Sequence, residues 1–293
     1  AFSRFRFELG VRLNFQGDNH LLVRADNSKP EPGSATEHVI PLLGDFFIHG
    51  GIYRPARLVS VGPSHISLAD FGGPGVYMDS ELKSDGSAVA SVRVKLTDPR
   101  PGQVVEVALY HADGSIAAVE RQSIAAIGEG EARVVLPVQK PRLWDGRRDP
   151  YLYRLVATLS EGGRALDRVE QRVGIRTIRL DPGQGFFLNG RHTPLHGVSR
   201  HQGVLGRGWA LTRADHERDM ALIAEMGANT VRFAHYQHAE DWFELSDEAG
   251  MIVWAELPFV NKVAFDDSRA SPELVANARR QLLELIRQNY NHP

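Results

Sequence analysis

The chain has no cysteine among its 293 residues. That excludes disulfide bonds, cysteine–zinc sites and a thiol nucleophile, and says little about compartment. No apolar run approaches the roughly 18 residues of a membrane span. No block of lysine and arginine stands out: 34 basic residues against 36 acidic ones give a formal charge of −2. Neither a nucleic-acid nor an anionic-membrane footprint is indicated. A signal-peptide pattern is also missing, since Phe5-Arg6-Phe7-Glu8-Leu9 already alternates like a strand. What remains is an ordinary globular composition, 42% hydrophobic and 24% charged, with a length that suggests two domains or three small ones.

The first 178 residues read as β structure. Strand character appears at residues 5–9, at 21–26 after the Gly17-Asp18-Asn19 turn, and again over 46–61. A loop rich in Pro, Gly and Ser separates the last two. These strands are too few for a complete sandwich, so residues 1–61 are expected to be part of one. From 62 to 178 the alternation is cleaner. Ala90, Val92, Val94 and Leu96 alternate with polar residues, as do Val105, Val107 and Leu109, and Asp113-Gly114 is a hairpin turn signal. About seven short strands with regular turns suggest an immunoglobulin-like sandwich.

From about residue 179 the period changes. Three polar clusters each follow a short apolar run: Ser199-Arg200-His201, Arg232-Phe233-Ala234-His235, and Glu256 after Met251 to Ala255. Helix-length segments lie between them. Thr212 and Asp215 form a capping-box-like start, while Gly227 and Gly250 end two helices. The two glycines mark a βα repeat of 250 − 227 = 23 residues. Ser271-Pro272 starts a third helix, with Ala278, Leu282, Leu285 and Ile286 as its apolar stripe. Short strands alternating with helices predict a parallel sheet, and ligands gather at the carboxyl ends of such strands. The three clusters are therefore expected on one rim. Three βα units cannot close a barrel, so a fragment of a longer protein is expected.

With these residues placed, the chain resembles glycoside hydrolase family 2, in particular bacterial β-galactosidases. The resemblance rests on Gly50-Gly51-Ile52-Tyr53-Arg54, Leu143-Trp144, Pro150-Tyr151-Leu152-Tyr153, Val173-Gly174-Ile175-Arg176 and Phe187-Leu188-Asn189-Gly190, then on Gly197 to His201, Val231 to Tyr236, Trp254 to Phe259 and Asn291-His292-Pro293. It implies a multidomain architecture. Residues 1–61 would be the C-terminal part of a jelly-roll sugar-binding β-sandwich. Residues 62–178 would be an immunoglobulin-like sandwich, and 179–293 the first three βα units of a (β/α)8 TIM barrel.

The implied activity is retaining hydrolysis of terminal β-D-galactosides, with two glutamates about 5–5.5 Å apart. Both would lie beyond Pro293, so no catalytic residue is expected in this chain. β-Glucuronidase and β-mannosidase share the scaffold and are rivals. From another class, the chain would be a non-catalytic carbohydrate-binding or structural module. The implied partner is a glycoside or oligosaccharide, with no nucleic acid and no membrane. Mg2+ or Na+ serves related enzymes, but the residues show no complete metal cage. A homo-oligomer, and a bacterial cytoplasmic or periplasmic location, are left open.

His201 and His235 resemble the family's site histidines, which donate to sugar hydroxyls; the plain alternative is a surface or core histidine. Arg200 belongs to the first of these motifs. Arg232 would clamp a catalytic glutamate or form a structural ion pair. Glu256 sits one strand too early for the catalytic acid and is expected to support Arg232, a histidine or a sugar hydroxyl. Asp26 would reach the sugar from the first domain, or cap a turn. Trp254 is expected in the core, with a sugar platform as the alternative. Gly203 departs from the Asp that relatives carry there.

Overall fold

Period-2 alternation is realised most fully in the middle of the chain. The computed structural model describes residues 2–29, 31–34, 36–37, 47–125, 130–259 and 271–293. Eight strands form two facing sheets: β1 (His65–Ile66), β2 (Val76–Leu82), β3 (Ala88–Thr97), β4 (Gln103–Tyr110), β5 (Ile116–Ser123), β6 (Glu131–Val138), β7 (Tyr153–Glu161) and β8 (Arg164–Val173). One sheet has β3 between β6 and the β1/β2 pair; the other runs β5-β4-β7-β8. All neighbouring strands are antiparallel. Val92, Val94, Val134 and Leu136 from the first sheet meet Val105, Val107, Leu155 and Leu159 from the second in one core. Each such side chain contributes about 1.5–3 kcal/mol on burial.

The N-terminal stretch behaves differently. The strands expected over 5–9 and 21–26 do not form, and 47–61 carries no strand; Phe46 lies outside the described residues. Among the described residues of that stretch, the 3-10 turn Gly10–Arg12 is the one regular element. The alternation is present but unpaired, and Leu22 is 95% exposed. A strand exists only through hydrogen bonds to a neighbour, so pattern without a partner leaves the chain irregular.

A small antiparallel sheet follows: β9 (Ile178–Asp181), β10 (Gly185–Leu188) and β11 (Arg191–His192). Then come β12 (Gly197–Arg200), α1 (Arg213–Glu225), β13 (Thr230–Phe233), α2 (Glu240–Ala249), β14 (Ile252–Ala255) and α3 (Pro272–Gln288). Strands β12, β13 and β14 are parallel neighbours in that order. The start of α1 is a reciprocal capping box between Thr212 and Asp215. Gly250 closes α2 in the left-handed region, and Ser271 caps α3 through the Leu274 amide. Val231, Phe233, Trp242, Phe243 and Leu285 build the core between the sheet and its helices. Of the α3 stripe, Leu285 is buried, whereas Leu282 and Ile286 are exposed.

The sandwich is bolted to the βα layer at specific points. The Trp144 indole donates from Nε1 to the Asp247 carbonyl at 3.0 Å. Asn291 accepts from the Met78 amide at 2.9 Å and donates to the Val76 carbonyl at 2.8 Å, standing in for a strand partner at the edge of β2. Gly174 lies against Pro293 and Trp144 so closely that a Cβ there would be 2.7 Å from the Pro293 Cβ. His292 and Asp247 pair at 2.5 Å beneath. Burial pushes the Asp247 carboxyl up, and the Asp247 contact pushes the His292 imidazole up against the effect of its own burial.

Candidate functional site

Strand register decides which side chains share a face. Ser199, Arg232 and Trp254 are aligned across β12, β13 and β14. Alternate residues of a strand point to opposite faces. Val231 and Phe233 face the helices and are fully buried. Ser199, Arg232 and Trp254 therefore face the other way, and Trp254 is 64% exposed. The expected core placement of Trp254 is not what the chain adopts.

Arg232 is the hub of a cluster at the carboxyl ends of these strands. Its guanidinium makes two bonds to Glu256: Nε to Oε1, and Nη2 to Oε2 at 3.0 Å. Nη1 donates to Ser199 Oγ at 3.2 Å. His235 Nδ1 lies 3.0 Å from Arg232 Nη2 and 3.1 Å from Glu256 Oε2. One proton thus sets the role of the imidazole. With Nδ1 bare it accepts from Arg232, and Nε2 carries the donor hydrogen. With Nδ1 protonated it donates to Glu256 instead. The His201 ring meets His235 edge-on, centroids 5.0 Å apart. A fork of donors, a carboxylate and two imidazoles is a polar set suited to the alternating donors and acceptors of sugar hydroxyls.

Two of the expected site residues make their bonds elsewhere. Arg200 is 6% exposed and sits behind the sheet. Its Nε and Nη2 donate to Asp219 Oδ2 at 3.1 and 2.7 Å, Nη2 lies 3.1 Å from His216 Nδ1, and the guanidinium stacks 4.2 Å over the Trp242 ring. It follows Ser199 directly, so a strand must send it to the opposite face. Burial draws its pKa down against the pull of Asp219, and burial with the Arg200 charge lowers His216 to about 4. Asp26 bonds locally, accepting from the Ser28 amide at 3.0 Å, the Ser28 hydroxyl at 2.7 Å and Arg24 at 2.7 Å. Those bonds, the Ser28 hydroxyl first, lower its carboxyl to about 2. This is the turn-capping arrangement.

Sequence reasoning passed over Ser199 as a partner of Arg232, and gave no site role to Gln202 or to Arg54, which it named only within a family motif. Counting residues by twos from Arg232 across the paired strands would have found Ser199. Nothing in the composition points to the other two. Among the described residues, no group of three or more His, Cys, Asp or Glu is arranged to hold a metal ion. No helix among them is long and apolar enough to cross a membrane.

A parallel βα layer with its polar rim at the strand ends, braced by an antiparallel sandwich, defines a barrel-type enzyme scaffold. The family model described as "Glycosyl hydrolases family 2" matches residues 71–176, and its companion "Glycosyl hydrolases family 2, TIM barrel domain" matches 179–293. The chain belongs to glycoside hydrolase family 2. It is 37% identical to a β-glucuronidase of Bacteroides fragilis, over all of this chain and 42% of that protein. An FMN-binding β-glucuronidase from Faecalibacterium prausnitzii superposes with a TM-score of 0.82 at 35% identity, over 89% of this chain and 39% of the other. A putative β-galactosidase from B. fragilis gives 0.81 at 38%, over 92% and 39%. The chain thus spans less than half the length of these relatives.

Proposed function

We propose that this chain forms the sandwich brace and the first part of the sugar-binding rim of a retaining exo-β-glycosidase acting on β-glucuronides. The observation that carries the hydrolase reading is the Arg232–Glu256–His235 cluster on the open face of three parallel strands, in a chain of this family. β-Glucuronidase is also the commoner name among the similar proteins, which moves the preferred sugar away from the galactoside suggested by the sequence motifs alone.

In this reading the chain's own residues bind and orient. Bidentate pairing to Glu256 fixes the Arg232 fork, and the Ser199 hydroxyl tethers its remaining arm. Glu256 in turn orients His235, whose Nδ1 state decides whether Nε2 donates or accepts. Arg232 already has a carboxylate partner, so recognition of a uronate does not fall to it alone. The two glutamates of the retaining reaction are assigned to positions outside residues 1–293.

A β-galactoside is the second reading, favoured by the putative β-galactosidase that superposes on the chain and by a curated relative of that name. Nitrophenyl β-glucuronide and β-galactoside, offered to the protein at its full natural length, separate the two. Turnover of the glucuronide, with the galactoside at least 100-fold poorer in kcat/KM, is the expected result. The reverse preference would install the galactoside, and hydrolysis of neither would remove the hydrolase.

A further inference from the structure

Residues 47–61 have no regular structure, yet Arg54 from this stretch reaches the loops behind the rim. Its Nη1 donates to the Phe2 carbonyl, and its Nη2 to the Gln237 carbonyl at 2.9 Å and Gln202 Oε1 at 3.3 Å. Gln202 directly follows His201, and Gln237 comes two residues after His235. Gln202 is itself buried. It accepts from the Ala239 amide at 2.5 Å through the same Oε1, and its backbone N–H donates to Tyr236 Oη at 3.2 Å. One guanidinium therefore ties together the two loops that carry the histidine pair. Around it, Phe2 stacks on Tyr236 at 4.2 Å, with Trp209 and Tyr53 completing the enclosure.

Among the described residues no carboxylate pairs with Arg54, and its Nε is buried without an acceptor. All three of its acceptors are neutral. Burial draws its pKa down. A half-buried cation held only by neutral oxygens is a poor way to fill space, since an apolar side chain would do that at lower cost. What a guanidinium supplies and an apolar group does not is a planar set of donors with fixed directions.

We infer that Arg54 is a positioning residue, fixing the spacing of the 201–202 and 235–239 loops and, through them, of His201 and His235. This rests on the reading of the rim as a sugar site, but one arm of its test does not. The variants are Arg54→Ala and Arg54→Lys in the protein at its full natural length. Hydrogen–deuterium exchange of peptides covering Gln202 and Ala239 is expected to speed up at least tenfold in R54A, with the Val231 and Phe233 amides of β13 unchanged. Millimolar guanidinium is expected to restore part of the protection. On the glycoside that the unaltered protein hydrolyses, kcat should fall at least tenfold with KM within threefold, and R54K should lie between. Unchanged exchange at both loops overturns the inference, as does an equal rise throughout the barrel strands. If R54A fails to fold, Gln202→Leu removes the shared acceptor and should loosen Ala239 in the same way; protection kept there would also overturn it. If the unaltered protein hydrolyses no glycoside, the proposed function fails, while exchange still decides the role of Arg54.

Discussion

Alanine at Gly250 should cost far more than alanine at Gly227, although both glycines close a helix in the same backbone region. Gly227 has φ +78° and Gly250 φ +69°. Either substitution forces a Cβ into the left-handed conformation, at about 1–2 kcal/mol. There the likeness ends. A Cβ on Gly227 meets nothing within 4 Å. A Cβ on Gly250 would lie 2.2 Å from the Gly146 carbonyl oxygen and 2.7 Å from the Arg147 amide nitrogen. Those are backbone atoms of the 3-10 turn Gly146–Arg148, which cannot rotate aside. Overpacking of that kind adds about 1–3 kcal/mol. At roughly 2–4 °C per kcal/mol for a protein of this size, Gly227→Ala should lower Tm by about 2–8 °C and Gly250→Ala by about 4–20 °C. Thermal melts of the two variants followed by circular dichroism make the comparison. Equal losses would refute the reasoning, because the sandwich would then not abut α2 where the structure puts it. Activity should follow stability here, since Gly250 lies six residues before Glu256 and its displacement moves β14.

Three further outcomes are expected. Glu256→Gln leaves Arg232 a neutral acceptor, and kcat/KM should fall roughly 10–100-fold, the worth of a charge-assisted bond; Tm should change little, because the Arg232 side chain is 42% exposed and screened. His292→Ala strands the Asp247 carboxyl, whose side chain is 7% exposed, and should cost about 3–5 kcal/mol in urea denaturation. His216 has its pKa lowered to about 4 against 6.5 in the open chain. Below pH 6.5 the unfolded chain therefore takes up a proton that the folded one refuses. Its contribution is whole above pH 6.5 and lost progressively as pH falls towards 4, about 3 kcal/mol in all. His216→Gln should flatten that part of the stability profile, and an unchanged slope would show that His216 is not the group responsible.

What could be read from the residues was whatever is decided locally. Thr212 with Asp215, Ser271 with Pro272, and Gly250 announce helix ends because a cap is satisfied within three or four residues. Asp113-Gly114 announces the β4–β5 hairpin for the same reason, with Asp113 Oδ1 taking the Ser115 amide at 2.9 Å. The order of the parallel strands followed from apolar runs that helices separate. What failed depended on partners distant in sequence. The described residues among the first 61 alternate as strands would yet form no strand ladder, and alternation carries no record of a neighbour. The β9–β11 sheet was missed because its strands are only two to four residues long. Arg200 was grouped with Ser199 and His201 because they are adjacent, and adjacency is what sends strand residues to opposite faces. Asp26 was carried over from a resemblance, whereas the Asp-Asn-Ser stretch that follows Ala25 was itself the signal for a turn.

The central claim is that three parallel strands bring Arg232, His235, His201 and Glu256 to one sugar-binding rim. A crystal structure of the protein at its full natural length with a bound glucuronic-acid-derived lactone tests it most directly. The account predicts ring hydroxyls within about 3.2 Å of a His201 or His235 nitrogen, with Arg232 still forked on Glu256. A lactone seated at another face of the chain, out of reach of all four side chains, would contradict it.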